Sequence, residues 1–202
     1  MSVTATMHGK TKGNPRGSGY VRAERDLYVE PAWAIEALLD VEKIGGLVWD
    51  PACGTGTIPR VCRRRGLDVG GTDLANGIDF LSVTEKNWPL EPTAYWTRNR
   101  LSIVCNPPYR LAERFVLHAI ALRVPLAAFF LRLAFLEGAG RRQRIFDPHP
   151  PARVWTFSRR VSCPSPGALI GGRKAGGGAM AFAWFVWTRD WKGPGYKGGW
   201  LP

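Results

Sequence analysis

The chain is predicted to fold as an α/β protein on a doubly wound, mostly parallel sheet covered on both faces. Three observations predict this. Short apolar runs alternate with amphipathic, helix-forming stretches along the 202 residues. The most apolar runs, 126–131 and 181–187, lack the polar alternation of a sheet with one wet face. The runs at 47–49 and 101–105 lead straight into Gly-rich and Pro-rich loops, as strands do at the ligand-binding edge of an open α/β sheet.

Taken in order, residues 1–22 are rich in Gly, Ser, Thr and Lys, show no apolar periodicity, and read as a flexible basic arm. Residues 23–202 are long enough for one sizeable core and are read as one domain. Pro31 suits a helix start, and Trp33, Ile35, Ala37, Leu38 and Leu39 continue that helix. A strand at 47–49 precedes the Gly-rich turn after Asp50, a helix follows at 58–65 closed by Gly66, and a second strand at 67–71 runs towards Asp73. Residues 76–81 form a loop and short turn. The polar stretch 85–100, with Pro89 and Pro92, is assigned to no element. Strand 101–105, helix 112–122, buried strand 126–131, a basic helical turn at 141–146 and strands at 154–157 and 181–187 complete the pattern. Residues 163–178 and 192–200 are long loops rich in Gly and Pro.

Lys and Arg number 28 against 16 Asp and Glu, a formal net charge of +12. Any one basic cluster can be an ordinary solvated face, but their sum is most simply explained by phosphate contacts, so a polyanion is the expected partner. The candidate phosphate ligands are Arg16, Arg141, Arg142, Arg144, Arg159, Arg160, Arg173 and Lys174. The longest apolar stretch, 124–136, carries Arg132 near its middle and falls short of the roughly 20 residues of a spanning helix, so no membrane partner is expected. With no signal-type opening, a cytoplasmic setting is expected. The four cysteines and three histidines lack metal-site spacing, so no metal is expected.

Two motifs carry chemistry. The first is Asn106, Pro107, Pro108 and Tyr109 at the end of the third strand. An amino group conjugated to a π system is a poor nucleophile because its lone pair is delocalised. The Asn106 side-chain oxygen and the Pro107 carbonyl can accept both of its N–H protons and bias the nitrogen towards sp3, while two prolines keep the loop rigid and Tyr109 offers a flat face for stacking. The second is the DPACGTG turn, Asp50, Pro51, Ala52, Cys53, Gly54, Thr55 and Gly56, at a strand-to-helix junction. It reads either as a ligand-holding turn whose glycines let backbone approach the ligand, or as a tight structural turn. Asp73 suits vicinal ribose hydroxyls or a helix cap, and Asp79 with Phe80 offers an acceptor for an adenine amino group beside an aromatic ring.

These motifs resemble those of the S-adenosylmethionine-dependent amino methyltransferases, especially the enzymes that methylate adenine N6 in DNA. The resemblance covers roughly residues 25–190, and the motif order is similar to the gamma arrangement of that family. It implies a Rossmann-like sheet of seven strands, one antiparallel, and S-adenosylmethionine as cofactor. It also implies that the DPACGTG turn and Asn106 line the cofactor site, that Asp73 holds the ribose, that Asp79 and Phe80 contact the cofactor adenine, and that NPPY is the catalytic loop. Asp26, Tyr28 and Pro31 resemble the family's N-terminal DxYxTP element, which contacts the methionine moiety; Glu30 stands where that element usually has Thr. Double-stranded DNA is the implied partner, with the target base flipped out of the stack.

Larger relatives carry a separate target-recognition domain, for which no length remains here, so recognition is expected from the basic arm, the Gly-rich loops, a second copy or a partner. For the family's aromatic contact to the flipped base, Trp155 and Phe157 are candidates that read equally as core strand residues. Ribosomal RNA, at guanine N2 or adenine N6, is the main alternative substrate. Protein glutamine is less favoured, because those enzymes more often read DLGTGSG at the turn. An inactive nucleic-acid-binding module would leave NPPY without work, as would a nicotinamide-dependent dehydrogenase, for which GxGxxG is also missing. The analogy is to a phage or prophage modification enzyme, or a solitary methylase, in a bacterial cell.

Overall fold

In a computed structural model, residues 28–90, 100–164 and 180–202 are described. Among them seven strands form one sheet: β1 Leu47–Asp50, β2 Val69–Gly71, β3 Leu101–Cys105, β4 Leu126–Arg132, β5 Arg153–Phe157, β6 Phe182–Thr188 and β7 Lys197–Leu201. Their spatial order is β2-β1-β3-β4-β6-β5-β7. Every neighbouring pair is parallel except those of β6, which runs antiparallel to both β4 and β5. This is the α/β, Rossmann-like, mostly parallel sheet with one antiparallel strand that the sequence predicts.

Alternate residues of each central strand serve opposite layers, as a period of two requires. Trp49, Ile103, Cys105, Phe129 and Leu131 pack with α3, Ala112–Ala121, on one face. Val48, Val104, Ala128 and Phe130 pack with α1, Ala32–Val41, and α2, Thr57–Arg64, on the other. Two hydrophobic layers explain why β3 is buried throughout and why β4 and β6 read as continuous apolar runs. Pro31 caps α1, where its missing N–H costs nothing, and Ala34, Ile35, Ala37 and Leu38 form the buried stripe. The Trp184 indole N–H donates to the Ala34 carbonyl at 2.7 Å and ties β6 to that helix.

The structure corrects the expectation at the end of the chain. Residues 197–201 form the edge strand β7, parallel to β5, where a loop was expected. Glycine is required there by close approach: a Cβ on Gly199 would lie 2.6 Å from the Trp155 ring, and one on Gly198 would lie 3.0 Å from the Val154 carbonyl. The sequence signature of a loop is therefore also that of a strand laid tightly on its neighbour. The second strand is shorter than expected, and the basic turn is a three-residue α4, Ala139–Arg141, running into a π-helical turn, Arg142–Phe146. The proposed arm at 1–22 lies outside the described residues. Among the described residues no helix is long and apolar enough to cross a membrane.

The side chain of Glu42, which caps α1, is buried and joins that helix to the sheet. It pairs with the Arg153 guanidinium through both oxygens, one contact being 2.8 Å, and accepts the Trp155 indole N–H at 2.6 Å. Glu42→Ala leaves Arg153 and the indole without that acceptor and should cost about 3 kcal/mol in urea denaturation, since removing one partner of a buried pair strands the other.

Candidate functional site

Because β1 to β4 are parallel, their C-terminal ends open on one edge of the sheet, and the candidate residues collect there. The β1–β2 ladder continues past the strands: Thr72 N–H donates to the Asp50 carbonyl and Cys53 N–H to the Thr72 carbonyl, both at 2.9 Å. The chain then turns through Gly54 at φ 45° and Gly56 at φ 76°, left-handed values that favour glycine, and enters α2. Asp73 closes the turn from the other side. One carboxylate oxygen accepts Gly54 N–H at 2.9 Å and the other accepts Ala75 N–H at 2.8 Å, so Asp73 is a cap and a brace at once. Each oxygen retains a lone pair for a further donor. Asp79 is exposed and caps its own turn through Leu81 N–H at 2.9 Å. Phe80 does not offer the expected face: its ring is 1% exposed and packs against Trp49, Phe115 and His118. Pro51 is buried, while Ala52 and Cys53 are partly exposed at the turn.

Beneath the turn, Asp50 is buried, and burial raises its carboxyl well above the usual range, helped by the nearby charge of Glu30. Glu30, 7% exposed, is raised by burial, and its hydrogen bond to Asn106 and the charge of Arg60 oppose that shift. Arg60 lies along the turn, donating to the Thr55 carbonyl at 2.5 Å and to the Thr57 hydroxyl at 3.2 Å. All four cysteines are free, and burial pushes Cys53 and Cys62 up to about 11 and Cys163 to about 12, which disfavours their thiolates.

Asn106 directly follows β3. Its side-chain nitrogen donates to the Tyr28 carbonyl and to a Glu30 carboxyl oxygen, each at 2.8 Å. Its side-chain oxygen is buried and has no hydrogen-bond partner. The next residue, Pro107, is buried, and the Pro108 carbonyl accepts Leu111 N–H at 2.8 Å, fixing the loop against α3.

Tyr109 differs from the open platform expected of it. Tyr28 stacks on it at 5.2 Å and 11°, the Arg132 guanidinium lies 4.4 Å from its ring centre, and Phe182 leans on it at 5.9 Å. Burial raises the Tyr109 hydroxyl far above its usual range. The segment carrying Tyr28 is held by Val29 N–H, which donates to the Pro164 carbonyl at 2.9 Å. Pro31 starts α1 beside this segment. Trp155 and Phe157 are framework residues: one indole N–H is bound to Glu42, and the other ring packs on Trp33 and Phe130.

The candidate phosphate ligands among the described residues make contacts within the fold. Arg141 donates to the Phe135 and Glu137 carbonyls at 2.9 and 2.6 Å and lies over the Phe135 ring. It thereby braces the loop after β4. Arg144 pairs with Glu113 at 2.5 Å and Arg142 with Asp147 at 3.1 Å. Arg159 covers the Trp33 ring at 3.9 Å, and Arg160 follows it at the end of β5, on the same edge as Asn106. Asp26, Arg16, Arg173 and Lys174 lie outside the described residues.

Glu30, Arg60 and Arg132 were not singled out as site residues by motif reading. Arg132 left a signal as a cation inside an otherwise apolar strand, and Glu30 left one by standing where the resembling N-terminal element usually has Thr.

No family model and no curated protein matches the chain. Among solved structures it is similar to a predicted O-methyltransferase from Agrobacterium tumefaciens, at 12% identity and a TM-score of 0.47 over 85% of each chain. It is also similar to a dimethyladenosine transferase from Plasmodium falciparum, at 13% identity and a TM-score of 0.39, covering 76% of this chain and 60% of the other. Neither likeness is close enough to carry an argument about chemistry.

The raised carboxyls make a pH prediction. A carboxyl raised on folding contributes stability that is present below its unfolded value and is lost as pH rises through the folded one. Relative to Asp50→Asn, the wild type should therefore lose urea resistance as the pH rises above about 4, the unfolded carboxyl range, and the variant should show the flatter profile.

Proposed function

We propose that the chain is an S-adenosylmethionine-dependent methyltransferase acting on the N6 amino group of adenine in DNA. The observation that carries this reading is the Asn106 side-chain oxygen, a buried acceptor without a partner beside the first proline of a rigid loop. Such an atom is costly to leave unpaired, about 1–3 kcal/mol, and a ligand N–H would remove the cost. The glycine turn supports the reading on the cofactor side, since Gly54 and Gly56 let backbone approach a ligand, and Asp73 and Asp79 keep acceptor capacity for a ribose and an adenine amino group. The net charge of +12 favours a nucleic acid over a protein substrate.

S-adenosylmethionine, when bound, supplies an electrophilic methyl group. The protein's part is to prepare the nucleophile. Asn106 Oδ1 and the Pro107 carbonyl accept the two N–H protons of the amino group, favour the sp3 nitrogen, and are fixed before the substrate arrives. The amino nitrogen would take the methyl carbon as its bond to the sulfonium sulfur breaks and a neutral thioether leaves, and would lose its surplus proton to solvent. The target base leaves the duplex at a cost of a few kcal/mol. Stacking it on Tyr109 requires Tyr28 to swing off that ring. Duplex DNA is the proposed partner, with a second copy or another protein completing sequence recognition.

Asn106→Ala should lower methyl transfer about 10²–10³-fold while leaving cofactor affinity nearly unchanged by calorimetry. Cofactor carrying a tritiated methyl group, offered with duplex DNA, ribosomal RNA or total protein, should label DNA at adenine. Label confined to RNA or to protein would transfer the proposal to that polymer, and labelling undiminished in the variant would refute the role of Asn106.

A further inference from the structure

We infer that Glu30 is a positioning residue that fixes which face of the Asn106 amide meets the substrate, an inference that rests on the function proposed above. A primary amide has two orientations related by a half-turn, which exchange its acceptor oxygen for two donors. Only one is useful here. With the oxygen towards an incoming amino group, Asn106 accepts a proton. In the other orientation it presents N–H groups to N–H groups and repels the substrate.

The local contacts decide between the two. Asn106 Nδ2 lies 2.8 Å from the Tyr28 carbonyl and 2.8 Å from Glu30 Oε2. A main-chain carbonyl accepts and cannot donate; the Glu30 carboxyl, whose ionised form is favoured by the Asn106 donor and the charge of Arg60 against the opposing effect of burial, is when ionised likewise an acceptor only. Reversal would set the Asn106 oxygen against two oxygens and leave both side-chain N–H groups without these partners. The Tyr28 carbonyl alone satisfies one of the two donors; Glu30 satisfies the second and makes the choice strict. A threonine hydroxyl, which the resemblance implies at this position, both donates and accepts and would tolerate either orientation.

Placing a carboxyl here works against stability. Glu30 is 7% exposed, and its neighbour Asp50 is a second buried carboxyl. Arg60 brings an opposing charge, and Asn106 donates a side-chain hydrogen bond to the carboxyl. A residue kept only to hold the fold would be better apolar at such a position. The arrangement makes sense if the carboxyl's work is to orient the amide.

The test separates positioning from structure. Glu30→Met keeps length and volume, removes the acceptor and relieves the buried carboxyl. Its denaturation midpoint should equal or exceed that of the wild type, while kcat falls about tenfold or more and the cofactor dissociation constant stays within about twofold. Glu30→Gln, which can still accept, should fall between the two. A second readout needs no turnover. In the 15N-labelled protein, the Asn106 side-chain NH2 signals, assigned by their loss in Asn106→Ala, should exchange slowly with solvent and become faster in Glu30→Met. Wild-type kcat with unchanged exchange in Glu30→Met overturns the inference, as does a kcat loss that merely follows a loss of stability. If the wild type transfers no methyl group to any polymer, the proposed function fails instead, and the exchange measurement still decides whether Glu30 orients the amide.

Discussion

The parallel register of β1 with β3 is the constraint on which the candidate site depends. Trp49 faces Ile103 across the ladder, so Asp50 and Asn106 emerge at the same edge without either loop having to reach far. The same register brings the Cys105 thiol to the Asp50 carboxyl, so the floor beneath the glycine turn is made by the two strand ends themselves. Shifting that pairing by one residue would turn the inward side chains of β3 to the opposite layer and carry Asn106 away from Glu30. The two hydrophobic layers protect the register. Each strand is gripped from both faces, so slippage would expose aromatic rings on one side and bury polar groups on the other.

Set into this rigid base is a small region that works against stability. Glu30 and Asp50 are both carboxyls removed from water, and a buried acceptor on Asn106 lacks a partner. Some buried groups elsewhere are matched, Glu42 by Arg153 and an indole, and Trp184 and Trp187 by carbonyls, while Trp88 Nε1 and His118 Nε2 in the opposite layer are, like the Asn106 oxygen, buried without a partner. What sets the site apart is the pair of buried carboxyls beside the unpartnered Asn106 oxygen, a combination that a ligand supplying donors and charge would relieve.

Much of this architecture was legible in the sequence because it rests on local signals. The apolar runs of β3, β4 and β6, the helix start at Pro31 and the strand–turn–helix at Asp50 all follow from period, propensity and turn chemistry. What escaped depends on tertiary packing. Gly198 and Gly199 read as loop because their reason for being glycine is the Trp155 ring and the Val154 carbonyl, more than forty positions away. Phe80, next to an acceptor at Asp79, read as an aromatic face beside an adenine, yet its ring turns into the core against Trp49. Arg141 belongs to a basic run, but its guanidinium finds carbonyls at the end of the preceding turn, which charge counting does not reveal. At the NPPY loop the motif located Asn106, whereas the partners that set its orientation sit 76 and 78 positions earlier. The covering of Tyr109 by Tyr28 was equally out of reach, since nothing local couples the two rings.

The bond from Val29 to Pro164 links two distant stretches one residue away from the groups that grip Asn106. A displacement of the chain at Pro164 would be passed through that hydrogen bond to Val29, which lies between the two residues whose oxygens hold the Asn106 amide, so the loop after β5 and the orientation of the amide are mechanically coupled.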